Sequence, residues 1–89
     1  MKVTTMIKKL FGEHSVCDYM DTLDSEDRES ILEYWSIECQ EDASEPDYFL
    51  KLFTDGLYQL KDINDKLIIS TYKAPELKKA LKVLAEQSN

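Results

Sequence analysis

The feature that most constrains this chain is a run of carboxylates. Between Glu13 and Asp47 stand thirteen acidic residues and a single cation, Arg28, which leaves −12 with His14 neutral. A segment of that charge must keep its carboxylates in water, because an isolated ionised carboxylate is too costly to bury. Lys2, Lys8 and Lys9 give residues 1–12 a charge of +3, and seven lysines against five acids give residues 48–89 a charge of +2. The net −7 is thus segregated into one anionic middle between two mildly cationic ends.

The 89 residues are expected to form one domain, 1–89, marginal in size but able to bury about 60–65% of the unfolded surface. No apolar run exceeds three residues, as at Leu67–Ile69, so no membrane span is expected. Lys8 and Lys9 interrupt any apolar core of a secretory signal. Two cysteines, Cys17 and Cys39, do not make a disulfide framework and are read as reduced thiols of a cytoplasmic protein. A pI near 4.6 disfavours direct attraction to nucleic acid or to an anionic membrane.

Val3, Met6, Ile7, Leu10 and Phe11 recur at i, i+3, i+4, i+7 and i+8, and predict a first helix that closes at Gly12. Ser15 and Asp18 resemble a capping box for a second helix, with Val16, Tyr19, Met20 and Leu23 as its stripe. A third helix is predicted from Asp24 or Ser25, with Ile31, Leu32, Trp35, Cys39 and the stem of Arg28 turned inward. A strand over residues 31–37 is the competing reading, since Ile31, Trp35 and Ile37 share a period-2 face, but Glu33 on that face counts against it. Residues 41–47, acidic with Ser44 and Pro46, read as a connection.

For residues 47–62, a helical face of Phe49, Phe53, Leu57 and Leu60 competes with a hairpin turning at Thr54-Asp55-Gly56. The hairpin pairs Leu52 with Tyr58 and Leu50 with Leu60 on one face, and Lys51 with Gln59 and Phe49 with Lys61 on the other. Leu67–Tyr72 is rich in β-branched residues and needs a strand partner, which decides for the hairpin. Pro75 then opens a last helix with Leu77, Ala80, Leu81 and Leu84 inward. The expected fold class is α+β in two layers: three N-terminal helices, a three-stranded antiparallel β-meander and a C-terminal helix, in the order α-α-α-β-β-β-α.

Enzymatic chemistry finds little footing, and a non-enzymatic protein without cofactor or metal is expected. His14 and Cys17 form an H-x-x-C pair that Cys39 would have to complete, a weak zinc signal beside the four ligands of a structural site. Acidic neighbours would raise a thiol pKa and so oppose a nucleophile. Two glycines, Gly12 and Gly56, cannot build a phosphate-cradling loop, and no calcium loop is present.

The carboxylates are the remaining signal. On the predicted third helix Glu26, Glu29 and Glu33 stand at i, i+3 and i+7, where each like-charge neighbour disfavours the helix by a few tenths of a kcal/mol. Their axial spacing, about 4.5–6 Å by helical rise, is of the order of the phosphate repeat in a DNA strand, about 3.4 Å. The expected partner-binding surface comprises Asp18, Asp21, Glu26, Glu29, Glu33, Tyr34, Glu41, Asp42, Glu45 and Asp47. Its expected partner is a basic nucleic-acid-binding protein, with no direct contact to nucleic acid or membrane. In size and charge the chain resembles the DNA-mimic inhibitors of phages and mobile elements, such as anti-restriction proteins and nuclease inhibitors or immunity proteins. The alternative is a small adaptor or assembly subunit that works through the outer sheet face (Phe49, Lys51, Phe53) or an edge strand, as a homodimer among other forms, with the acids serving solubility.

Overall fold

The computed structural model describes residues 2–41 and 45–87. The chain runs α1 (Val3–Phe11), β1 (Val16–Asp18), a 3-10 turn (Met20–Thr22), a one-turn helix α2 (Ser25–Arg28), β2 (Ile31–Ile37), β3 (Tyr48–Phe53), β4 (Tyr58–Asp62), β5 (Leu67–Thr71) and α3 (Ala74–Gln87). The five strands form one antiparallel sheet in sequential order, β1-β2-β3-β4-β5.

This corrects the expected order α-α-α-β-β-β-α and its three-stranded meander. Three helices remain, but the arrangement is α-β-α-β-β-β-β-α. The predicted second helix is β1 followed by the 3-10 turn, and the third survives only as α2, with Asp24 Oδ1 accepting from Asp27 N–H at 2.8 Å as its cap. Residues 31–37 are strand β2. Ser15 caps no helix; its Oγ donates to Gly12 O at 2.6 Å, and the side chain is buried. Leu32, expected inward, is 58% exposed at a bulge between Ile31 and Glu33. The physical reason lies in competition between periods. A helix over 24–39 would stack Glu26, Glu29 and Glu33 as like-charged neighbours. A strand instead dissolves that row and gives Ile31, Tyr34, Trp35 and Ile37 a pleated surface that suits them.

The α1 stripe closes on the core through Met6 and Ile7, and α3 through Leu77, Leu81 and Ala85. Beneath them lie Trp35, Ile37, Leu50 and Leu60, one cluster in which Leu50 and Leu60 are fully buried cross-strand partners. Burial of each such side chain contributes about 1.5–3 kcal/mol. The hairpin pairings Leu52–Tyr58, Leu50–Leu60, Lys51–Gln59 and Phe49–Lys61 are those expected from the Thr54-Asp55-Gly56 loop. α1 and α3 lie on the Leu50/Leu60 face, and neither covers the Phe49/Lys51/Lys61 face.

The turn from α1 into β1 depends on Gly12, whose φ of +112° and ψ of 160° lie where side-chain-bearing residues are rare. A Cβ added there would meet the ring of His14 at 2.7 Å. His14 is exposed and can swing away, so the backbone strain is the lasting penalty. Gly12→Ala should lower stability by about 1–3 kcal/mol, read as a shift in urea midpoint. Adding His14→Ala should not restore it; full rescue by that second change would assign the penalty to the ring instead.

Candidate functional site

The connection from β1 to β2, residues 19–30, is built by its own polar groups. Asp18 Oδ1 accepts from Met20 N–H at 2.9 Å, Thr22 Oγ1 donates to Tyr19 O at 2.7 Å, and Ser30 Oγ donates to Asp27 O at 3.2 Å. Arg28 folds back across it, its Nη2 donating to Met20 O at 3.1 Å and lying 3.5 Å from Asp21 Oδ1. Two main-chain bonds fasten the segment to the sheet: Tyr19 N–H to Tyr34 O, and Thr54 N–H to Ser30 O. Ile31 is buried but belongs outside the main core cluster, because the bulge pairs it with Phe53.

Tyr19 is the hinge between this connection and the open sheet face. Its ring meets Tyr34 edge-on, centroids 5.7 Å apart, and Phe49 at 5.6 Å, while Tyr34 and Phe49 lie 6.1 Å apart. Lys51, the cross-strand neighbour of Tyr34, places Nζ 5.1 Å from that ring's centroid. Lys61 on the same face is paired with Asp65 at 3.2 Å. Partial burial, then Tyr19 and Asp65 nearby, push the Tyr34 phenol above its ordinary pKa of 10.0. Tyr72 is raised as well, chiefly because its hydroxyl donates to Asp55 Oδ2 at 3.0 Å.

A phenol whose folded pKa lies above its unfolded value binds its proton more tightly in the folded state. Its contribution is complete below the unfolded pKa and is lost as pH rises through the folded one. Stability should therefore be insensitive to these two tyrosines up to about pH 10 and fall above it. Spectrophotometric titration of tyrosinate should show a component above the ordinary value of 10.0, and Tyr34→Phe and Tyr72→Phe should each diminish it. A single transition at the ordinary value would contradict it.

The residues expected to form one acidic surface are dispersed. Asp18, Asp21, Glu26 and Glu29 lie on or beside the 19–30 connection, all four exposed and Asp21 fully in solvent. Tyr34 is on the open face. Glu33 is not: it pairs with Leu52 on the helix-covered side and lines a cavity of about 380 Å³ with Lys2 and Tyr58. Glu41 and Glu45 are exposed in the β2–β3 connection, a full strand length from Glu29, about 20 Å by strand rise. Asp47 has a structural bond, its Oδ2 accepting from Cys39 N–H at 2.8 Å. Asp42 lies outside the described residues. The helical row of Glu26, Glu29 and Glu33 is thus replaced by a carboxylate-rich connection at one end of β2 and a second acidic connection at the other.

Tyr19 and Phe49 were missed as members of one surface with Tyr34. Helical spacing assigns Tyr19 to a core stripe, and only a strand period over residues 31–37 sets Tyr34 on the face away from Trp35 and Ile37. Cys17 and Cys39 are not joined in a disulfide, and Cys17 lies exposed opposite Ser36. Among the described residues no three His, Cys, Asp or Glu side chains are grouped to hold a metal ion, and no helix is long and apolar enough to cross a membrane. Comparison with protein-family models finds no match, and comparison with curated proteins and with solved structures finds none either.

Proposed function

We propose that this protein is a non-enzymatic binding domain that docks on a basic, nucleic-acid-binding surface of a partner protein and acts by occluding it. One observation carries the reading: the aromatic group Tyr19, Tyr34 and Phe49 is continuous, through Tyr19, with a connection bearing five carboxylates, and Asp18 at the end of β1 makes six. The only cation in that stretch, Arg28, is folded back on Met20 O and Asp21. An aromatic centre beside a charged rim is the anatomy of specific protein interfaces, where tyrosines often anchor binding. The two lysines of the open face are engaged with Tyr34 and Asp65, so the rim sets the sign of the local field.

A partner with a basic rim complements this surface, and long-range attraction would speed encounter. Anti-restriction, nuclease-inhibitor and immunity proteins are the physical class it would join, through field and rim rather than a helical copy of phosphate spacing. The cytoplasm suits two thiols outside any disulfide.

The test is capture of partners on the immobilised protein at low salt, elution by raising salt, and competition with double-stranded DNA. A partner displaced by DNA, and not retained by Tyr34→Ala or by a variant with reversed rim charges, supports the reading. Partners that ignore DNA and bind both variants as well as the wild type would end it.

A further inference from the structure

Four of the five large apolar side chains that stand exposed among the described residues gather around one strand. Leu67, 50% exposed, opens β5; Ile63 lies in the turn before it and Tyr72 directly after it; Val83, also 50% exposed, is on α3, which packs over β5. The side of α3 that bears Val83 is set by a bond. Thr71 Oγ1 on β5 donates to Glu76 Oε2 at 2.7 Å, and Glu76, Ala80 and Val83 fall at i, i+4 and i+7. Ala74 and Lys78 face the other way, toward α1. The Val83 face therefore runs along the outer margin of β5.

β5 ends the sheet, and between Leu67 and Thr71 it has neither a proline nor a charge, the usual guards of an open edge. The opposite edge is guarded: β1 has three residues and ends on Asp18, and the chain beyond it stays against β2 through Tyr19 N–H to Tyr34 O. Hydrogen-bond parity fixes what β5 offers. Phe53 N–H donates to Leu57 O, which turns Leu57, Gln59 and Lys61 toward β3 and leaves Tyr58 and Leu60 facing β5. Their partners Thr71 and Ile69 thus bond inward, and Ser70 between them turns its N–H and C=O to the open side.

We infer that β5 is the docking edge for a second copy of this chain, the two strands pairing antiparallel across a two-fold axis at Ser70. Self-complementarity selects this occupant. Each Ser70 exchanges both main-chain bonds with its twin, Ile69 stands opposite Thr71, and Lys66 and Lys73 are kept from facing one another. The axis is normal to the continuous sheet, so the two α3 helices meet on the same face and carry their Val83 sides toward the contact. A bulge at the start of β5 shortens the ladder, so the dimer is weak and relies on its apolar flank. This edge lies across the sheet from the partner-binding rim, and the inference stands apart from that reading.

Sedimentation equilibrium of the intact protein, with amide exchange followed at low and high concentration, tests it. An interface this small should dissociate within the range of about 10 µM to 1 mM. The Ser70 amide should exchange more slowly at the high end, and Leu67→Lys and Val83→Lys, at positions already half in solvent, should each weaken the dimer about tenfold. A monomer at all concentrations overturns the inference, even where an added extended peptide protects Ser70. So does a dimer whose Ser70 amide stays unprotected, or one that tolerates both substitutions.

Discussion

Leu60→Ala should lower stability by about 3–5 kcal/mol, enough to leave much of a chain with marginal reserves unfolded. Leu60 is fully buried on β4, with Leu50 beside it on β3, Ile69 on β5, and Leu77 and Leu81 in the same cluster. Strands on both sides hold its backbone in place, so the space left by the lost side chain cannot close by moving the strand. Trp35, the chain's one tryptophan, is buried in that cluster and reports its integrity by fluorescence during urea unfolding. Leu32→Ala is the control: its side chain is mostly in solvent, and the change should stay within about 0.5 kcal/mol. A Leu60→Ala protein within 1 kcal/mol of the wild type, as roughly expected for a site that relaxes, would mean the centre of the sheet is not the stabilising core described.

The combined reversal Asp21→Lys, Glu26→Lys and Glu29→Lys should reduce partner affinity about 100-fold at low salt while leaving the fold intact. All three side chains are exposed, and only Asp21 has an ion-pair partner, Arg28, at 3.5 Å. Exposed pairs of that length contribute little, so stability should change by less than about 1 kcal/mol. The reversal moves net charge by six units, from −7 to −1. Screening should shrink the difference between variant and wild type as salt rises. Glu33→Lys separates charge from place. It alters a half-buried side chain on the helix-covered face, beside Lys2, and should affect stability more than binding. Equal binding by the triple variant and the wild type, at low salt and with the fold verified, would remove the acidic connection from the proposed contact.

The elements legible in the sequence are those whose signals are local. The α1 stripe, the lysines of its last turn and Gly12 occur within ten residues of one another, and Val3–Phe11 forms the helix they imply. Thr54-Asp55-Gly56 set the β3–β4 register because the turn dictates which residues can face each other. The β-branched run at residues 67–71 and the spacing of Leu77 and Leu81 worked in the same way.

Residues 15–39 resisted because their apolar positions satisfy two periods, and the deciding interactions lie elsewhere in the chain. Ile31, Trp35 and Cys39 fit one helical stripe as well as Trp35 and Ile37 fit one strand face. What selects the strand is β3, whose free side takes its hydrogen bonds from β2 with Trp35 opposite Leu50 and Glu33 opposite Leu52. A ladder bond has its partner roughly fifteen residues away and leaves no trace in local spacing. The same ambiguity carried into the candidate site. The sequence by itself determined that the middle of the chain is anionic and must remain wet. Tertiary structure alone decided that these carboxylates ride on a connection beside an aromatic sheet face, because side-chain direction follows the strand's two-residue period once β2 is held between β1 and β3.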